Sequence, residues 1–231
     1  MATFELFEAP PRRRSRRFPD PGSRVGPRKV GFPITSRAGT ASGPSSSDEL
    51  RSVRDRFAFG VAVVGGAGLV PVAPGTMGSL VAAAAFLATA LALPAAFPTL
   101  DPAVLSIGLC ASIGGGFVLG VWASDRAERI TGRCDDGRIV IDEVVGQWIA
   151  LLPISPFVGV FDFSSLIFAV VTAFVAFRVF DVWKPGAVRW AERRFEGGLG
   201  VMADDVVAGV YGAVAVSFVV AALLSRGGAL S

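Results

Sequence analysis

Residues 103–124 run for 22 positions without one charged side chain. A helix needs about 20 apolar residues to cross the hydrocarbon of a bilayer, so this stretch is long enough to span. Inside a membrane no water satisfies backbone N–H and C=O groups, and a spanning segment must satisfy them itself. Further apolar runs occupy 57–72, 79–93, 144–161, 164–177 and 206–224. Pro94 ends one of them, and Pro153 and Pro156 break the 144–161 run. Several fall short of about 20 residues, so they extend into the flanking loops or sit in a thinned bilayer. The expectation is an all-α, multi-helix membrane bundle of about five to six apolar helices.

The charges are segregated. Residues 1–56 hold 12 Arg/Lys against 6 Asp/Glu, a net +6, and 57–231 hold 10 against 13, a net −3. The first part is rich in Pro, Gly and Ser and shows no hydrophobic periodicity. It cannot bury enough surface to offset its ordering entropy, so 1–56 reads as a basic, disordered tail and 57–231 as the membrane-embedded domain. A solvated tail explains it more simply than a patch that docks on anionic lipid.

Arg126, Arg129, Arg133 and Arg138 crowd the loop near 125–143, and Arg178, Lys184, Arg189, Arg193 and Arg194 the one near 178–205. The turns near 94–102 and 153–163 carry no Lys or Arg. Basic loops stay inside, so both charged loops are expected on the cytoplasmic face of a multi-pass inner-membrane protein. Keeping the tail inside as well makes 57–72 an interfacial or re-entrant helix. Its expected partner is the surrounding membrane, with no nucleic acid; oligomeric state is left open.

The composition excludes several chemistries. With no His, there is no His base, His nucleophile or His-bound zinc. Neither Cys110 nor Cys134 begins a C-x5-R phosphatase motif, and no D-x-D pair is present. Acid–base or metal work falls to carboxylates, cations and hydroxyls, of which four groups stand out.

Pro74-Gly75-Thr76-Met77-Gly78-Ser79 is a Gly-Pro turn entering a helix, with Ser79 expected as its N-cap. Free N–H groups there suit a phosphate, but no Lys follows the glycines as in a Walker A loop. Asp142 and Glu143 stand at the mouth of one apolar helix, and Asp204 and Asp205 at the mouth of another. Carboxylates there are costly unless paired, solvated or metal-bound. One such pair is ordinary N-terminal capping; two at one membrane face favour a metal.

Small residues one turn along, in Asp142-x3-Gly146, Asp205-x3-Gly209 and Ala208-x3-Gly212, allow the two helices to touch and the four acids to converge. Clustered hard oxygens without His or thiolate select Mg²⁺ or Mn²⁺ over zinc. The fourth group sets Arg178, Asp181 and Lys184 three apart before Pro185. Asp181 is expected to tie Arg178, leaving Lys184 free. Carboxylates, a metal and cations at a headgroup interface make a phosphoryl-transfer site.

The stretches PGTMGSL, IVIDEVVGQ, FDVWKP and GGLGVMADDVVAG, in this order, resemble the phosphatidylglycerophosphatase A family of bacterial membrane lipid phosphatases over roughly residues 58–222. The resemblance implies Mg²⁺-dependent hydrolysis of the terminal phosphate monoester of the phospholipid phosphatidylglycerol phosphate, giving phosphatidylglycerol. Asp135-Asp136-Gly137 departs from it: a Pro is expected after the first acid, so either Asp135 or Asp136 fills that position.

In this reading Asp142, Glu143, Asp204 and Asp205 hold the metal, at least one of them through water. Lys184 and Arg178 offset the phosphate charge, and Thr76 and Ser79 donate hydrogen bonds to it. Asp181 is either the base that orients water or a positioning partner for the cations, and an aspartyl-phosphate route stays open. A CDP-alcohol phosphotransferase would need D-G-x2-A-R, whereas Asp136-Gly137 is followed by Ile139-Val140-Ile141. The other alternative is a non-enzymatic transporter or scaffold; a transporter would place ionisable groups near mid-bilayer, whereas these charges sit at the ends of the apolar runs.

Overall fold

The computed structural model describes residues 46–133 and 136–228, all within one compact unit, Gly43–Ser231. The expected disorder of residues 1–45 lies outside the described residues, as do Cys134 and Asp135. The described residues form helices and connecting turns, with no strand among them. Seven α-helices follow in order: α1 (Ser46–Ala62), α2 (Pro74–Ala96), α3 (Ala103–Thr131), α4 (Ile141–Leu151), α5 (Phe163–Trp183), α6 (Gly186–Arg194) and α7 (Gly197–Gly228). Two 3₁₀ segments, Val64–Leu69 and Leu152–Phe157, join α1 to α2 and extend α4.

Four helices, α2, α3, α5 and α7, are long and apolar enough to cross a membrane. That is slightly fewer than the five to six apolar helices expected from sequence. The 57–72 and 144–161 runs account for the difference: the first is split between the end of α1 and the 3₁₀ segment Val64–Leu69, and in the second α4 ends at Leu151, where Pro153 and Pro156 turn the chain into a 3₁₀ segment. Proline cannot donate an i→i−4 bond, so the helix does not continue to spanning length.

The boundary at residue 56 also moves. Residues 46–56, expected to be disordered, belong to α1, whose Asp55 pairs with Arg126 of α3 at 2.6 Å and whose Phe57 ring lies 6.2 Å from Trp122.

Many large apolar side chains face outward, among them Phe218 (75 % exposed) and Val118 (70 % exposed). In water such a surface would drive association; in lipid it is matched to its solvent. The core between helices is built from small residues and a few large ones. Ala82, Ala123, Ala169, Ala173 and Ala208 are fully buried, with Phe177, Leu151 and Ile154 filling the space between. Close backbone approach is the main source of helix cohesion where apolar burial gains little over lipid. The α4–α7 crossing shows it: a Cβ on Gly209 would lie 2.5 Å from the Gly146 carbonyl oxygen, and one on Gly146 2.7 Å from that of Asp205.

Candidate functional site

The α4–α7 crossing places the acids of both helices side by side. Oxygens of Asp142, Glu143 and Asp205 all lie within 4.8 Å of one another. Asp142 and Glu143 occupy the first turn of α4, where the Glu143 N–H donates to Asp142 Oδ1 at 3.0 Å. Asp205 is 4 % exposed. The two acid pairs therefore do meet, but only three of the four carboxylates converge.

Asp204 goes elsewhere because neighbouring helical residues project about 100° apart. Its Oδ2 accepts from Lys184 Nζ at 2.9 Å, and the same Nζ donates to Glu192 Oε1 of α6 at 2.9 Å. Lys184 is thus not the free cation expected from spacing. It caps α5 in the left-handed region at φ 48°, a conformation that costs a non-glycine residue about 1–3 kcal/mol and that clusters at functional sites. Burial disfavours the ammonium, but the hydrogen bonds to Asp204 and Glu192 outweigh it and hold Lys184 above the ordinary lysine value.

Asp204 and Asp205 do not open their helix either. Gly197 starts α7, so both acids stand about two turns inside it. The start of α7 is served from α3, where Asp125 Oδ1 accepts from the Gly198 N–H at 2.6 Å.

The third wall comes from α5. Arg178 Nη1 pairs with Asp181 Oδ2 at 2.6 Å, the tie expected from their spacing. Arg178 also donates to Ser79 Oγ of α2 at 3.4 Å. Ser79 is fully buried in the second turn of α2 rather than at its N-cap, which is Ala73. Its hydroxyl donates to the Gly75 carbonyl at 3.0 Å. Thr76 lies in the first turn of the same helix, half-buried. A Cβ on Gly75 would sit 2.0 Å from Glu143 Oε1 and 3.4 Å from Arg178 Nη1, so a glycine is needed for α2 to reach the acids.

The start of α2, the start of α4, the end of α5 and the N-terminal part of α7 thus form one end of the bundle. Ionisable groups collect there and not midway along the spans, which speaks against the transporter reading.

Among the described residues, Asp142, Glu143 and Asp205 are the one acidic group close enough to share a cation. Their oxygens are hard donors, and Glu143 Oε2 is buried without a hydrogen-bond partner. Buried carboxylate oxygens do not stay unpartnered cheaply, so the donor set fits a hard divalent ion such as Mg²⁺.

Asp136 is not part of the group. It is bound to Arg138, Oδ2 to Nη2 at 2.5 Å, which holds its carboxyl below the ordinary aspartate value. Arg138 in turn lies over the Phe59 ring at 5.5 Å.

Sequence reasoning missed four participants. Glu192 shares Lys184, and Asp125 anchors α7. Gly75 makes room for Glu143, and Gln147 is fully buried one turn below it. For Gln147 a signal existed, since it stands four residues after Glu143 on one helix face. No sequence spacing announces the other three.

The chain matches the phosphatidylglycerophosphatase A family over residues 60–220. Phosphatidylglycerophosphatase A of Escherichia coli is 38% identical over 159 residues, covering 69% of this chain and 81% of that protein. The protein of the same name from Haemophilus influenzae is 35% identical over 159 residues, 68% of this chain and 84% of its own. A putative phosphatidylinositol-3-phosphatase of Bacteroides thetaiotaomicron is 39% identical over 146 residues, 63% of this chain and 82% of its own. No solved structure matches. The match spans α2 to α7 and every element that builds the acidic site, and the chain belongs to the phosphatidylglycerophosphatase A family.

Proposed function

We propose that this chain hydrolyses the terminal phosphate monoester of phosphatidylglycerol phosphate, releasing phosphatidylglycerol and inorganic phosphate. Family membership supports the activity. The convergence of Asp142, Glu143 and Asp205 from two helices is the observation that carries the mechanism. These three would hold Mg²⁺, whose chemistry is to draw charge from the phosphoryl oxygens.

The other residues bind and orient. Arg178 presents its guanidinium beside Ser79, paired with Asp181, and Lys184 brings a second cation held by Asp204 and Glu192. Together they can offset a phosphate dianion, with Thr76 as a hydroxyl donor at the start of α2, while Ser79, whose own O–H is given to the Gly75 carbonyl, steadies Arg178. Asp181 serves either as the base for the attacking water or as the clamp on Arg178. In the overall step the water oxygen bonds phosphorus, the phosphorus–oxygen bond to glycerol breaks, and the alkoxide takes up a proton. The helical body, α1 to α7, does this work, without the basic tail that precedes it.

We place the site at the cytoplasmic face of the inner membrane. The end of α3 carries Arg126 and Arg129 and the short α6 carries Arg189, Arg193 and Arg194, and basic segments between spans are retained inside.

The test is phosphate release from phosphatidylglycerol phosphate in mixed micelles, with EDTA and with Mg²⁺ restored. Asp142→Asn and Asp205→Asn should each abolish the Mg²⁺-dependent release. Near-normal turnover in both purified variants, or full activity in EDTA, would remove the cation from the proposal. A parallel arm with a phosphatidylinositol 3-phosphate substrate tests headgroup choice, because one relative carries that substrate class in its name.

A further inference from the structure

Two orphaned polar groups stand one above the other in α4. Glu143 Oε2 is sealed from solvent with no hydrogen-bond partner, and so are both Nε2 and Oε1 of Gln147. Gln147 is 0 % exposed. Residues four apart on a helix share a face, with Cβ atoms about 5–6 Å apart. A primary amide offers two donors and an acceptor, and a carboxylate is an acceptor alone. Gln147 Nε2 and Glu143 Oε2 therefore each lack what the other supplies, directly or across one water, and Oε1 needs a donor that the carboxylate does not carry. A buried amide with neither end bonded is costly, and an apolar side chain of the same shape would fill the space without that cost. Toward the core the same helix carries Ala150 and Leu151, both fully buried and apolar, so the amide is the last polar group before the packed interior.

We infer that Gln147 is a positioning residue for the acidic site: its amide N–H, unpartnered in this structure, closes on the Glu143 carboxylate directly or across one water when that carboxylate turns to share a cation with Asp142 and Asp205. The inference rests on the cation reading given above and adds to it a residue that touches neither ion nor substrate. Groups that orient metal ligands from behind commonly change metal affinity by about 10–100-fold when removed. The remaining ligands keep their place, so the loss falls on affinity and not on the fold.

The experiment uses the full-length protein in detergent, with Mn²⁺ as a paramagnetic stand-in for Mg²⁺. Free Mn²⁺ is followed by electron paramagnetic resonance for wild type, Gln147→Met and Gln147→Asn, and thermal unfolding is recorded for each without metal. Gln147→Met is expected to weaken Mn²⁺ binding about 10–100-fold while its metal-free melting temperature stays equal or rises. Gln147→Asn, which keeps an amide on a shorter stem, should fall between. Phosphate release by Gln147→Met should recover substantially at high Mg²⁺.

Mn²⁺ affinity within twofold of wild type in Gln147→Met overturns the inference and leaves the cation site standing. Failure of Gln147→Met to fold, or a marked drop in its metal-free melting temperature, also overturns it, because the amide would then be a structural partner. If wild type binds no Mn²⁺, the cation reading falls, and this inference with it.

Discussion

Gly75→Ala should separate activity from stability. A methyl group at this position would stand 2.0 Å from Glu143 Oε1 and 3.0 Å from Cδ of the same carboxylate. Ordinary contact begins at 3.4 Å, so Glu143 must retreat by about 1.4 Å (3.4 − 2.0). Both close contacts are to the far end of one flexible side chain, and no backbone atom is among them.

The fold should therefore tolerate the change. Alanine also exceeds glycine in helix propensity by about 1 kcal/mol, which offsets any residual crowding. The site has no such slack. Two oxygens on opposite sides of one Mg²⁺ stand about 4.2 Å apart at contacts near 2.1 Å, and the triad already spans up to 4.8 Å. Pushing one ligand out by more than an ångström removes it from the shared position, and misplacements of about 1 Å cost on the order of 100-fold in rate.

The expected result is a melting temperature within a few degrees of wild type, with phosphate release down about 100-fold. Much of that loss should return at high Mg²⁺. Wild-type turnover at low Mg²⁺ in a well-folded Gly75→Ala protein would refute the claim that Glu143 is a ligand pressed against α2.

Gly209→Ala should behave in the opposite way. Its Cβ would meet the Gly146 carbonyl oxygen at 2.5 Å, so two helix backbones must part, at a cost of about 1–3 kcal/mol read as a lower melting temperature. An unchanged melting temperature would refute the close crossing. Asp205→Asn and Asp204→Asn are adjacent yet should differ. The first removes a triad ligand and abolishes Mg²⁺-dependent release, whereas the second loosens Lys184, lowers stability by about 1–2 kcal/mol and keeps measurable turnover. Equal loss in both would argue for a four-acid site.

Asp136 has a carboxyl held below its ordinary value by Arg138. A depressed folded value means stability that is present above about pH 3.9 and lost as pH falls below it. Asp136→Asn should therefore flatten the acid limb of a stability–pH curve, and an unaltered limb would discount the pair.

Much of this protein was legible before any coordinates. The uncharged run at 103–124 requires a helix because hydrocarbon offers the backbone no alternative partner. The two acid pairs and the small residues one turn along them were enough to anticipate an α4–α7 crossing, since membrane helices approach where side chains are smallest. The i, i+3 tie of Arg178 to Asp181 is local geometry and needs only the helix.

Tertiary structure decided what local periodicity leaves free. α7 begins at Gly197, before its apolar run, where Asp125 of α3 accepts from the Gly198 N–H. The α4–α7 crossing fixes the rotation of Asp204 and Asp205 about the helix axis, sending one to Lys184 and the other to the acids of α4. The turn from α5 into α6 gives Lys184 a second partner, Glu192. The sequence by itself determined which residues carry charge at the membrane surface and which helices can touch. Only the packed bundle determined which carboxylate faces which partner, because the 100° step between neighbours turns a one-residue difference into a different wall of the site.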